Sequence, residues 1–357
     1  MSDPRPQRTY LPFLDVTRVL AVLGVVAIHV VGGGVSSGQV GLSVITLDMA
    51  LVIAVPVFFM MAGALSLDPR AHHQGPLVFL RKRAIRIVPA MVVWSAFYIV
   101  VIRTMVSRHP VSVLDVLDLV VSGQTYTHLY FLFAIAGLYL VAPVLQAFLA
   151  GNEEVRAWVL GLVACLWTVG VMAIGQAGQM GVGHSVPLQA GTATFFLLYT
   201  GYFVLGRAFL VRPIPRWAAV VGLATVPGFI ALVTWLYVAS KRAAEDGTPD
   251  LWFSVLAPSY VSLPVVVYAI VLMASISSLC RGWRVSERME RLLRTVGNAT
   301  FGIFLVHFAA LVVLRELFPA LSPYTPGAMV GAWALTVAVS TLLALVGQRI
   351  PLLRLIF

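Results

Sequence analysis

Apolar residues run along the chain in blocks of about twenty, parted by short stretches where Arg, Glu, Gly, Pro and Ser collect. A helix rises about 1.5 Å per residue, so each block is long enough to cross about 30 Å of hydrocarbon. The pattern predicts spans at 13–33, 42–66, 84–105, 127–149, 155–175, 192–211, 216–238, 255–280, 296–315 and 325–347. No internal repeat, low-complexity segment or soluble region interrupts them, and no signal-peptide cleavage site follows the first block. Residues 1–357 therefore read as a single transmembrane unit with no fused soluble domain.

Composition agrees with the pattern. Hydrophobic residues make up 60% of the chain and charged residues 11%, against about 25% charged in a soluble domain. The expected fold is an all-α, polytopic integral membrane helical bundle of about ten transmembrane helices. Ten crossings leave both termini on one side. If that side is the cytoplasm, nineteen of the 24 Lys and Arg residues lie inside. Only Arg103, Arg108, Lys241, Arg242 and Arg315 fall outside. That is a strong positive-inside bias, so the net charge of +10 records topology and gives no argument for nucleic acid. The two cysteines, Cys165 and Cys280, sit in apolar runs and suit neither a metal site nor a disulfide framework; a single bridge stays open. No zinc spacing, P-loop or dinucleotide fingerprint is present, and the glycines of 178–183 lack the strand–turn–helix context.

Ionisable groups at bilayer depth are costly, so each is a candidate for chemistry. The first span carries Asp15, Arg18 and His29. At about 100° per residue, Arg18 and His29 lie within roughly 20° of each other around the axis, and Asp15 within roughly 60° of both. Asp15 and Arg18 sit near the inner interface, where an anchoring ion pair is the alternative reading. His29 lies well into the outer half, where a hydrogen-bonded packing role is the alternative. His128 opens the fourth span at the outer surface, Asp48 lies two turns into the second, and His307 falls near the midplane of the ninth. Histidine suits general-base work near neutral pH. For Asp48 a structural role is as plausible as a chemical one.

Arg81, Lys82, Arg83 and Arg86 cluster before the third span, with Arg83 and Arg86 on one helix face. The guanidinium fork suits phosphate; topology and lipid headgroups are the alternative reading. The set Arg281, Arg284, Arg288, Arg291 and Arg294, interleaved with Glu287 and Glu290, reads as an amphipathic juxtamembrane helix. The outer links 106–126, 176–191 and 239–254 are rich in polar and aromatic residues such as Gln124, Tyr126, Gln176, Gln179, His184 and Trp252. They could line a sugar site or serve as plain connectors.

Five motifs in order resemble the membrane-bound acyltransferase 3 family. Leu14-Asp15-Val16-Thr17-Arg18 followed by His29 resembles its first-helix signature. Pro56-Val57-Phe58-Phe59-Met60-Met61-Ala62-Gly63 is similar to its second-helix motif, with Ala62 where members usually carry Ser. Arg83-Ala84-Ile85-Arg86 resembles the arginine motif, and Asn298 to His307 the late helix. His128-Leu129-Tyr130-Phe131-Leu132 with Gly137-Leu138-Tyr139-Leu140 resembles the branch that O-acetylates surface polysaccharides.

The resemblance implies a membrane O-acyltransferase of the bacterial inner membrane. It would move an acyl group, by default acetyl, from cytoplasmic acetyl-CoA or another acyl-CoA to a hydroxyl of an extracytoplasmic glycan or glycolipid. The implied catalytic set is His29, Asp15, Arg18, His128 and His307, and the donor-binding set is Arg83, Arg86, Arg81 and Lys82, with no metal and no tightly bound cofactor. His29 would act as general base or carry the acyl group transiently, and both routes need a neutral imidazole. A transporter or flippase of lipid-linked glycans is the rival reading, which matched repeat halves would have favoured.

Overall fold

The computed structural model describes residues 10–106, 112–123, 125–181, 194–247 and 251–357. Arg5, Arg8, Arg108, Gln124 and His184, and the side chain of Gln179, lie outside the described residues. The helices are α1 (Pro12–Ser36), α2 (Leu42–Leu51), α3 (Ala54–Ser66), α4 (Pro76–Phe97), α5 (Val113–Val121), α6 (Tyr130–Leu149) and α7 (Glu153–Gly181). They continue with α8 (Thr200–Val211), α9 (Arg216–Glu245), α10 (Leu251–Leu256), α11 (Leu263–Leu279), α12 (Glu287–Leu317) and α13 (Pro326–Gly347). No strand occurs among the described residues. The protein is an all-α polytopic membrane bundle.

Eight helical stretches are long and apolar enough to cross a membrane, and each overlaps a predicted span. The expected spans 192–211 and 255–280 emerge as the shorter apolar helices Phe195–Val211 and Leu263–Leu279. Proline accounts for part of the shortening. Pro264 sits in the first turn of α11, where its missing N–H costs nothing, so the helix starts there and 251–256 breaks away as α10. Pro56 acts similarly inside the second span. It cannot donate to the Val52 carbonyl, and the helix is interrupted between α2 and α3. The basic set after Cys280 is helical in part. Arg288, Arg291 and Arg294 ride on the first turns of α12, continuous with the span, with Arg294 paired to Glu290 at 2.7 Å.

The bundle has a centre and a rim. For α12, 67% of the apolar window is buried inside the protein, against 22% for α7 and for α9. α1 packs against α2, α3, α12 and α13, while α3 and α8 cross closely. That crossing depends on two glycines facing opposite backbones. A Cβ on Gly63 would run into the Phe203 carbonyl, and one on Gly206 into the Met60 carbonyl. Arg207 on α8 ties the same region, reaching Glu153 at 2.6 Å and Asp68 at 3.6 Å. Rim side chains such as Trp167, Val144 and Leu166 are exposed, as a lipid-facing surface requires. Cys165 and Cys280 are both free, so no bridge joins them.

One departure from regular helix positions the site. Beyond Phe97, α4 widens into a π-helix over Tyr98–Val106. Such segments re-aim side chains and are frequent at functional sites.

Candidate active site

Three histidines from three separate parts of the chain meet inside the bundle. His29 comes from α1, His307 from α12, and His128 from the turn before α6. Their ring centroids are 5.2 Å apart for His29 and His307, 4.9 Å for His128 and His307, and 6.1 Å for His29 and His128. His307 is fully buried and His128 is 3% exposed, whereas His29 keeps accessible surface. Phe308 closes one side, 4.9 Å from His29 and stacked at 5.7 Å on His128.

The backbone orients these rings. His307 Nδ1 donates to the Phe304 carbonyl at 2.7 Å and lies 3.2 Å from the Ile303 carbonyl. In the neutral ring this fixes the tautomer and leaves a lone pair on Nε2, which has no partner. The turn that carries His307 is itself altered. Tyr98 Oη donates to the Leu305 carbonyl at 2.8 Å and accepts from the Ala309 N–H at 3.0 Å. These two groups would bond each other in an uninterrupted helix, so the phenol is inserted into the ladder of α12 beside His307. Tyr98 also touches His128, ring to ring at 4.9 Å. The Leu305 carbonyl, which accepts from Tyr98, also lies beside His128, and neither His128 nitrogen makes a well-formed hydrogen bond.

On the side where α1, α4 and α12 begin, a cavity of about 680 Å³ opens. Arg18, Arg83, Arg86 and Arg354 line it together with Asn298 and Gln348, and no carboxylate is among the described lining residues. The Arg83 guanidinium lies 4.8 Å from the Tyr139 ring centroid, and Arg86 is 5.2 Å from that of Phe301. Such stacking leaves the planar donors free for a ligand. Deeper in, the lining turns aromatic with Phe58, Phe131 and Phe304. Phe304 is 5.4 Å from His128 and 5.9 Å from His307, so the cavity ends against the histidine cluster.

At the opposite end lies a second cavity of about 660 Å³, lined by Arg103, Ser122, Thr125, Tyr126, Tyr130, Tyr199 and Tyr260 among others. Tyr126 is 6.0 Å from His128 and 5.0 Å from Phe308. Two cavities thus approach the histidines from opposite ends.

The remaining predicted residues distribute as follows. Asp15 and Arg18 form an ion pair at 3.3 Å at the arginine-lined end, and Arg18 also reaches the Gly297 carbonyl at 3.5 Å. Tyr10 donates to Asp15 at 2.8 Å, and burial together with that carboxylate pushes its phenol up, so it stays a donor. Both residues are about 16–21 Å along α1 from His29, too far to touch the same reacting atom. Arg81 and Lys82 are not brought into the cavity. Both are exposed, and Lys82 bonds Gln74 at 2.7 Å. Asp48 is likewise apart from the histidines, with an unpartnered buried Oδ1. Arg354, Gln348, Tyr98 and Phe308 are site neighbours that spacing alone did not single out. Among the described residues no group of His, Cys, Asp and Glu is arranged to hold a metal ion.

Fold and site together define a class: a multi-pass membrane protein with a buried imidazole cluster reached from both ends. Residues 11–346 match the profile of the Acyl_transf_3 acyltransferase domain, and the chain belongs to that family. It is a membrane acyltransferase. Neither a curated protein nor a solved structure is similar enough to the chain to count as a match.

Proposed function

We propose that the protein is an O-acyltransferase moving an acyl group, by default acetyl, from acyl-CoA to a hydroxyl of an extracytoplasmic glycan or glycolipid. The observation that carries this reading is the alignment of an arginine-lined cavity, three converging histidines and a hydroxyl-rich cavity along one path. The positive-inside bias supports a cytoplasmic arginine end and suits the inner membrane of a bacterium. Arg83 and Arg86, with Arg18 and Arg354 nearby, offer bidentate donors to the coenzyme's phosphates. The pantetheine arm then extends past Phe58 and Phe131 toward the cluster, a distance on the order of 16 Å as judged along α1 from Arg18 to His29.

His29 serves as the base, because it alone of the three rings keeps accessible surface. It removes the acceptor hydroxyl proton as the oxygen attacks the thioester carbon; the C–S bond breaks and CoA leaves as the thiol. His307, with its Nδ1 bonded to the backbone, presents Nε2 to the same space and orients the proton transfer. The test is CoA release from acetyl-CoA by the purified protein reconstituted with a bacterial envelope glycolipid extract as the source of acceptor hydroxyls. His29→Ala should lower the rate by about 10²–10⁴-fold while leaving acetyl-CoA binding intact. A His29→Ala variant releasing CoA at the wild-type rate would sink the assignment.

A further inference from the structure

The outer cavity holds a charge that the transfer chemistry does not use. Arg103 lines it, half-buried, on the π-helical end of α4. Around it stand Tyr126, Tyr130, Tyr199 and Tyr260 with the hydroxyls of Ser122 and Thr125, and no carboxylate is among the described lining residues. The other described cations of this end are engaged or elsewhere. Arg315 donates to the Val30 carbonyl at 2.9 Å and Lys241 to the Ser36 carbonyl at 3.1 Å. Asp115 on the neighbouring α5 is the acidic group that feels Arg103. Its carboxylate is committed to the Ser112 N–H at 2.8 Å in a capping box, and it makes no ion pair with Arg103.

A guanidinium that faces a cavity and forms no ion pair can take an anion there, since a cation is desolvated at a cost unless it is paired. Tyrosine rings add flat apolar faces and polar rims, the features against which a pyranose ring packs. We infer that the outer cavity is the acceptor subsite and that it selects an acidic sugar, one bearing a carboxylate or phosphate held by Arg103. The π-helix is what aims Arg103 inward: widening the turn after Tyr98 rotates the later residues relative to an α-helical course. This inference rests on the transferase reading and names the acceptor class for it.

The test is titration of the detergent-purified full chain with methyl glucuronide, glucose 1-phosphate and neutral methyl glucoside. Wild type should bind an anionic sugar at least about tenfold more tightly than the neutral one, the size expected of a charge-assisted hydrogen bond. Whichever of the glucuronide and the sugar phosphate binds more tightly identifies the anion. Arg103→Gln should erase the preference and Arg103→Lys should restore part of it. Equal binding of charged and neutral sugars, a preference that survives Arg103→Gln, or no binding of any probe overturns the inference. A parallel acetyl-CoA titration keeps the two readings apart. Donor binding without the sugar preference removes this inference alone, and the sugar preference without donor binding removes the transferase reading and the acceptor role with it, leaving an anionic-sugar site at Arg103.

Discussion

Tyr98 shows how much of the site depends on a residue with no chemistry of its own. Its hydroxyl spans the Leu305 carbonyl and the Ala309 N–H, and its ring lies 4.9 Å from His128. Tyr98→Phe leaves the ring in place but lets α12 close its own hydrogen bond, which shifts His307. The expected outcome is a fall in kcat of about tenfold, with acetyl-CoA affinity unchanged, as for a small misplacement of a catalytic group. A loss confined to KM would count against it. His29, His128 and His307 were legible in the sequence one at a time, because each is an ionisable group in an apolar run. Their convergence was not legible, since angular position on one helix says nothing about which neighbour it faces. Tyr98 gave no signal at all: a tyrosine among Phe97, Ile99 and Val100 reads as core filling. Asp15 and Arg18 share the face of His29 as the helical period predicts, yet their ion pair at 3.3 Å ties them to the inner end of the bundle.

At the scale of elements, each of the eight long apolar helices overlaps a block read from the sequence, because hydrocarbon thickness imposes a minimum length on a crossing. Interruptions were harder. Pro56 and Pro264 explain the break before α3 and the late start of α11, but a proline inside an apolar block does not by itself say whether the helix bends or ends. The α3–α8 crossing is a direct test of the packing. Gly63→Ala or Gly206→Ala pushes a methyl into a facing backbone carbonyl and should destabilise the protein by about 1–3 kcal/mol, read as a lower Tm in detergent. Gly32→Ala, which meets nothing within 4 Å, is the control and should stay near wild type. If all three variants melt together, the crossing does not depend on glycine. Arg207 holds the same region by charge. Arg207→Met strands Glu153, while Asp68 keeps Arg70 at 3.3 Å, and should cost on the order of 3 kcal/mol. Replacing Glu153 by Gln as well should recover part of that loss, measured in the same melting experiment.

For the whole molecule, the arrangement is directional. Arginines of the inner cavity and tyrosines of the outer one are separated by the partition of His29, His128, His307, Phe304 and Phe308. On the proposed reading, a donor from one side and a hydroxyl from the other are brought together at this partition. The most direct test of this account is isothermal titration of the purified protein with acetyl-CoA, alongside Arg83→Ala/Arg86→Ala and His29→Ala. The account predicts binding by wild type and by His29→Ala, and at least tenfold weaker binding by the double arginine variant. Undiminished binding by that variant, or no binding of any acyl-CoA by folded wild-type protein, would contradict it.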